Sequence, residues 1–308
     1  MALSRDLFKP LQKREFQVEL VRPSTTYWQD AWRRLKKNPV AMGSLVLIIL
    51  ILLLAIFGPI FSPYTYSEQD FARKNQGPSA DHWFGTDGLG RDLFTRVLHG
   101  ARISLSIGFV AAVVALLGVL YGGISGFAGG WVDTLMMRFV DIMYSIPFLL
   151  WVILMMVYLK EIMPENTGLI AMYIALGLVY WLPMARIVRG QILSLKEQEF
   201  ILAAHTIGAS RTRILLRHLI PNCMGPVIVT ATLAIPEAIF TEAFLSFIGL
   251  GVSAPRASWG TLASDALVSL KSYPHLLFFP AAAICITLLA FNFLGDGLRD
   301  ALDPKMRK

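Results

Sequence analysis

Residues 40–61 form an almost uninterrupted apolar stretch of 22 residues with no Asp, Glu, Lys or Arg among them. A helix of that length, rising 1.5 Å per residue, reaches roughly 33 Å and matches the hydrocarbon core of a bilayer. The whole chain supports that destination, being 55% hydrophobic and only 16% charged, where soluble domains average about 25% charged residues. Its mean hydropathy of +0.58 agrees. Further apolar stretches at about 103–127, 136–159, 167–187, 222–246 and 275–295 bring the expected crossings to six. The predicted fold is all-α, a polytopic membrane helical bundle. Its third crossing is the least clean, because Arg138 and Asp141 lie near the start.

The segments between crossings divide the chain. Residues 1–39 are polar and hold nine Lys or Arg, unlike a cleavable signal peptide with its early apolar core. Within them, Trp28, Ala31, Trp32 and Leu35 share one helical face, with Arg33, Arg34, Lys36 and Lys37 largely elsewhere. That pattern predicts a helix along the inner membrane surface before Pro39 turns the chain into the bilayer. A transmembrane region is expected over 40–298, with an outer segment at 62–102 and a cytoplasmic loop at 188–221, followed by a short tail at 299–308. With the N-terminus inside, 20 of the 28 basic residues fall on inner segments, so both termini and the 188–221 loop are expected in the cytoplasm. The net charge of +7 then belongs to inner loops. No aromatic and basic residues interleave on a soluble domain, so nucleic acid is not an expected partner and membrane lipid is.

Gly118, Gly122, Gly126 and Gly130 recur at strict intervals of four. Backbones can approach closely along such a stripe, which predicts that the second crossing lies inside the bundle. Glu237 and Glu242 stand five residues apart in the outer half of the fifth crossing, beside a Pro236 that should bend it. An ionised group at mid-bilayer costs about 2.5 to 3.5 kcal/mol unless it faces protein or water. The two glutamates therefore either line a polar path or meet the outer water interface or a neighbouring subunit. Asp296 reads as an interface residue at the inner end of the last crossing, and Ser258 can cap a short helix on the outer face.

No catalytic set assembles anywhere: there is no nucleophile elbow, no HExxH and no nucleotide loop. The GTDGLG turn within 82–104 has no strand before it and no Walker lysine after it, so it is not read as a phosphate loop. Cys223 and Cys285 each lie in or beside an apolar stretch without a second ligand at metal spacing, and the five His are scattered singly. Neither a metal site, a cofactor nor an enzymatic activity is expected in this chain.

Residues 194–221 stand apart, as a long polar interruption with an amphipathic pattern. Phe200, Ala203, Ala204 and Ile207 recur at helical spacing, Gly208 and Ala209 interrupt, and Ser210 can cap a second short helix. Halves this short need something packed on them to hold their shape.

That stretch resembles the "EAA" loop of ABC importer permeases, which runs Glu-Ala-Ala, three residues, Gly, then a basic amphipathic segment ending in Pro. Ala203, Ala204, Gly208 and Pro221 match at the family spacing. Leu202 stands where the family usually has glutamate, and Glu199 lies three positions earlier. Four further stretches, HWFGTDGLGRDLFTRVLHGARISL, WLPMARIVRGQILSLKEQEF, EAFLSFIGLGVSAPRASWG and FNFLGDGLRDALDPKMRK, resemble the C-type permease subunit of oligopeptide and dipeptide importers. The last three are closer to the oligopeptide branch than to the dipeptide, nickel or glutathione branches. The resemblance covers the chain from about Trp28 to its end. It implies a type I importer permease in a bacterial cytoplasmic membrane, paired with a B-type permease. It also implies two cytoplasmic ATPases that bind ATP and Mg, an extracytoplasmic peptide-binding protein and a peptide substrate. Two other readings are an ion-driven secondary transporter, which would want paired ionisable groups near the midplane and an inverted repeat, and a membrane scaffold or channel.

Overall fold

The structure, a computed structural model, describes residues 26–163 and 168–303 of the 308-residue chain. The outer parts of both expected tails, 1–25 and 304–308, lie outside the described residues. Among the described residues every regular element is helical. Helix α1 (Tyr27–Lys37) opens with a capping box between Thr26 and Gln29, and Arg34, Lys36 and Lys37 sit in its last turn, where the helix dipole favours cations. Asn38 closes α1 and accepts from the N–H groups of Val40 and Ala41, both at 3.1 Å, so one side chain starts α2 (Pro39–Phe61). The expected apolar stripe of α1 is split by task. Ala31 and Leu35 are buried, whereas Trp28 and Trp32 stay exposed, as anchors at a membrane interface would. The Tyr27 hydroxyl donates to the Leu302 carbonyl at 2.9 Å and ties the two ends of the described chain together.

The remaining helices follow as α3 (Leu93–Ala115), α4 (Leu117–Ala128), α5 (Gly130–Ser145), α6 (Phe148–Ile162) and α7 (Gly168–Leu195). Then come three short ones, α8 (Glu199–Thr206), α9 (Arg211–Ile214) and α10 (Ile220–Asn222), and finally α11 (Met224–Phe247), α12 (Trp259–Ala266) and α13 (His275–Leu302). Five runs are long and apolar enough to cross a membrane, α3 and α4 counting as one of 36 residues, and α5 with α6 makes a sixth if a bent pair is one crossing. α2 buries only Ala41, Ser44, Ile48 and Ala55, so it lies at the rim. α7 is the most interior, with Ala171, Ala175, Met184, Ala185 and Val188 all sealed from solvent.

Where helix bounds differ from the apolar stretches, local chemistry explains it. The second crossing begins at Leu93 because Asp92 caps it, accepting the Thr95 N–H at 2.8 Å. The third is not a straight 136–159 helix but turns through 82° between α5 and α6. Pro147 sits at the break, where it disfavours helical backbone in the residue before it. α7 runs on to Leu195 because Val188 and Ile192 continue its buried face, so the first eight residues of the 188–221 loop extend that helix.

The bundle has two ends. The near end carries α1, the α4–α5 turn, α8 to α10 and the close of α13; the far end carries residues 62–92, the close of α6 and α12. At the far end the GTDGLG turn folds around a carboxylate of its own. Asp87 accepts from the N–H groups of Leu89 and Arg91 and pairs with the Arg91 side chain at 2.7 Å and with Arg96. A phosphate cradle presents the opposite charge. Burial opposes ionisation of Asp87, but the Arg96 and Arg91 charges and the backbone donors outweigh it and hold its carboxyl below the usual range. Nearby, Asp92 accepts from His82 at 2.9 Å and from the Thr95 hydroxyl at 2.7 Å, tying the segment to the head of α3.

Candidate functional site

At the near end, α8 stops in a Schellman motif. The Gly208 N–H reaches His205 O and the Ala209 N–H reaches Ala204 O, each at 3.0 Å. Gly208 has φ +81°, and a side chain there would meet open space, so only backbone conformation demands glycine. Ser210 then caps α9 by accepting the Arg213 N–H at 3.3 Å, and a single π turn over Leu215–Leu219 leads to α10. The pair is held from one side. Ile201, Ala204, Ile214 and Leu219 pack into one cluster with Ala115 and Val119 around the α3–α4 break, Met184, Val188 and Ile192 of α7, and Val227 of α11.

The other side of the pair is bare. Phe200 is 43% exposed, Leu202 58%, Ile207 84% and Leu216 52%. Ala203 is exposed beside Leu202, Ala204 is buried, and Pro221 is exposed in α10. Glu199 and Leu202 lie three residues apart on α8, both exposed, and so share a face. A recess of about 800 Å³ opens beside this face, lined by Ile124 and Phe127 of α4, Leu202 and His205 of α8, and Arg211 and Leu216 beyond the turn.

α4 joins this end to α7 through the glycines. A Cβ on Gly118 would run into the backbone of Trp181 and Ala185, one on Gly122 into the Ala185 carbonyl, and one on Gly126 would lie 2.9 Å from Arg189 O. Gly130, expected as a fourth member of the stripe, packs against nothing within 4 Å. It belongs to a tight turn, since Gly129 at φ +66° and Gly130 at φ +55° reverse the chain into α5, and the four-residue period ends where α4 ends. The turn is locked by a pair absent from the sequence-derived candidates. Asp133 receives Arg189 Nε and Nη2, each at 2.6 Å, and the Ser125 hydroxyl.

The two glutamates of α11 have different environments. Five residues of helix set them about 140° apart, so they cannot share one face. Glu242, expected to line a path with Glu237, is fully buried and accepts from Ser104 at 3.0 Å, Ser246 at 2.7 Å and Ser258, linking α3, α11 and the cap of α12. Glu237 is exposed. It interacts electrostatically with Tyr144 and Tyr180. Tyr144 is overlain by the Arg186 guanidinium at 3.9 Å, and Arg186 pairs with Asp141 at 2.7 Å. Arg138, one turn before Asp141, is exposed as well. An exposed strip of charge on α5, α7 and α11 cannot face hydrocarbon without a large penalty, so it faces protein or water. In the sequence Glu237 stands out, and Arg138 and Asp141 only as blemishes in the third crossing; nothing there points to Tyr144 or Arg186.

Fold and site together define a multi-pass membrane protein of the permease class. The chain belongs to the family described as binding-protein-dependent transport system inner membrane component, which it matches over residues 118–308. Residues 26–78 match the N-terminal TM domain of oligopeptide transport permease C. The oligopeptide transport system permease protein OppC of Bacillus subtilis is 53% identical over 308 residues, 99% of each chain. The dipeptide transport system permease protein DppC of the same organism is 51% identical over 289 residues, 93% of this chain and 88% of that one. OppC of Haemophilus influenzae is 47% identical over 283 residues, 91% of this chain and 89% of that one.

Proposed function

We propose that this protein is a permease subunit of an ATP-driven importer for oligopeptides, forming half of the translocation pathway. The observation that carries the reading is the near-end helix pair: folded, anchored to three membrane helices on one side and apolar on the other. Phe200, Leu202, Ile207 and Leu216 gain nothing from exposure to water, and a patch of this kind on a shaped surface marks a protein contact. The contact is an ATPase subunit, which binds ATP and Mg on its own side; two of them serve the assembled pair of permeases. Family membership and the names of the relatives support this assignment. With Leu202 in place of the usual glutamate, the contact relies on apolar packing more than on a salt bridge, and Glu199 supplies the carboxylate of that face. The near end, with its basic residues, faces the cytoplasm of a bacterial cell, and the far end faces the peptide-binding protein.

The strip formed by Arg138, Asp141, Tyr144, Arg186 and Glu237 faces the second, B-type permease across the pathway. Its charges then meet water and peptide instead of lipid. Dipeptides are the second substrate class, favoured by the 51% identity to a dipeptide permease.

Ile207→Asp tests the coupling surface, since a residue 84% exposed contributes little to the subunit's own stability. The expected outcome is a normally inserted protein that no longer co-purifies with an ATPase and no longer supports ATP-driven peptide uptake. Retention of both overturns the reading. Uptake that follows an ion gradient and ignores nucleotide would instead favour a secondary transporter.

A further inference from the structure

A second recess, of about 290 Å³, opens at the far end between the close of α6, the loop after α11, the head of α3 and α12. Four cationic side chains line it, Arg91, Arg96, Lys160 and Arg256, against one lining carboxylate, Asp265. Much of their donor capacity is unused. The Arg96 side chain is only 4% exposed, yet its Nε finds no partner; Nη1 alone is engaged, by Asp87. Lys160 donates to the Gly251 carbonyl at 3.2 Å, which occupies one of its three protons. Arg256 has no anionic partner among the described residues. Thr261 and Ser264 add hydroxyls, and no large apolar side chain enters the lining.

Burying a guanidinium nitrogen without an acceptor is costly, and four cations against Asp265 and the adjoining Asp87, which already holds Arg91 and Arg96, remain short of negative charge. A small planar monoanion answers both, because a carboxylate takes two N–H donors of a guanidinium side by side. We propose that this recess is a carboxylate subsite at the far-end mouth of the subunit, and that it receives the C-terminal carboxylate of the incoming peptide. The proposal rests on the peptide-importer reading above. The space holds about one terminal residue, and its apolar lining is limited to Val252, Ala254 and Ala257, too little for an acyl chain, which favours a peptide end over a lipid.

The test uses the assembled transporter with its binding protein in phosphatidylcholine proteoliposomes, measuring initial uptake of trialanine and of its C-terminal amide. Comparing variant with wild type in the presence of one binding protein cancels that protein's own preference. The acid-to-amide uptake ratio is expected to fall roughly tenfold in Arg256→Gln, the loss of one charge-assisted contact, and likewise in Lys160→Gln. Arg256→Lys, which keeps the charge, is expected to retain most of the ratio. An unchanged ratio in both Gln variants overturns the subsite, including the case where both substrates slow equally because the rim only docks the binding protein. A fall seen only when phosphatidylglycerol is present overturns it in favour of a lipid headgroup. Wild type that transports neither peptide defeats the importer reading itself, a result distinct from an unchanged ratio.

Discussion

Gly122→Ala should weaken the assembled protein although alanine is the better helix former. A Cβ on Gly122 would sit inside contact distance of the Ala185 carbonyl oxygen, carbon and Cα, all backbone atoms of the most interior helix. Backbone cannot rotate away as a side chain can, so α4 and α7 must part by roughly an ångström along the seam. Ala185 and Val188 sit fully buried beside that seam and lose their close contacts, and packing between membrane helices rests largely on such contacts. Overpacking of this kind costs about 1 to 3 kcal/mol. The propensity gain of Gly→Ala returns up to about 1 kcal/mol. The net loss of up to about 2 kcal/mol lowers the melting temperature by up to about 4 to 8 °C, at about 2 to 4 °C per kcal/mol for larger domains. Gly43 in α2 is the matched control, since a Cβ there meets nothing within 4 Å. Gly43→Ala should leave the melting temperature level or slightly raised. Thermal melts of the purified protein in lipid nanodiscs measure both. A Gly122→Ala melt equal to or above wild type would refute the seam argument.

Glu242→Ala should lower thermal stability by about 2 to 4 kcal/mol, because the hydroxyls of Ser104, Ser246 and Ser258 lose their shared acceptor; Glu242→Gln, which keeps a carbonyl oxygen there, should cost less in the same melt. Asp87 is held below the carboxylate range, so its contribution to folding is complete above its unfolded value near pH 4 and is lost as pH falls through the lower folded value. Limited proteolysis of residues 62–92 should therefore accelerate below about pH 4, and Asp87→Asn should be cut faster at neutral pH with little further change on acidification. Glu237→Gln should reduce uptake of peptides with a free amino terminus roughly three- to tenfold relative to their N-acetylated forms, and an unchanged ratio would return Glu237 to a structural role.

Crossings were legible because length and hydropathy are properties of a stretch, and the 22 apolar residues at 40–61 leave a helix few alternatives. The near-end pair was legible for the same local reason: Gly208, lacking a Cβ, can take the left-handed backbone of a helix stop, and the Ser210 hydroxyl can cap a helix start. What escaped were facts about which helix meets which. Glu237 and Glu242 look equivalent in sequence, and only the positions of Ser104 on α3 and Ser258 before α12 separate a buried acceptor from an exposed charge. Gly130 fits the period of Gly118 to Gly126 yet falls just past the end of α4, where a glycine serves a turn. The 82° bend had a local cause in Pro147, hidden because the apolar pattern runs on across it.

α7 is the element that touches both surfaces. Its near-end residues Val188 and Ile192 share one cluster with Ile201, Ala204 and Ile214 of the helix pair. Arg189, between them, is gripped by Asp133. Arg186, less than one turn further along, holds Asp141 and covers Tyr144 on the charged strip. A partner that shifts α8 and α9 therefore pushes on a helix whose next turn carries the strip. The glycine seam decides what moves with it. Because α4 touches α7 backbone to backbone at Gly118 and Gly122, the two helices cannot slide independently without first separating. α4 and α7 thus move as one body, and Asp133 brings the head of α5 along. The 82° break at Pro147 lies on the far side of that grip. It lets α5 follow the near end while α6 stays with the far end, where Lys160 is tied to Gly251. Under the function proposed above, motion started at the helix pair would reach the strip of Arg186 and Glu237 and be relieved at the bend, coupling a near-end contact to the pathway without deforming the far-end loops.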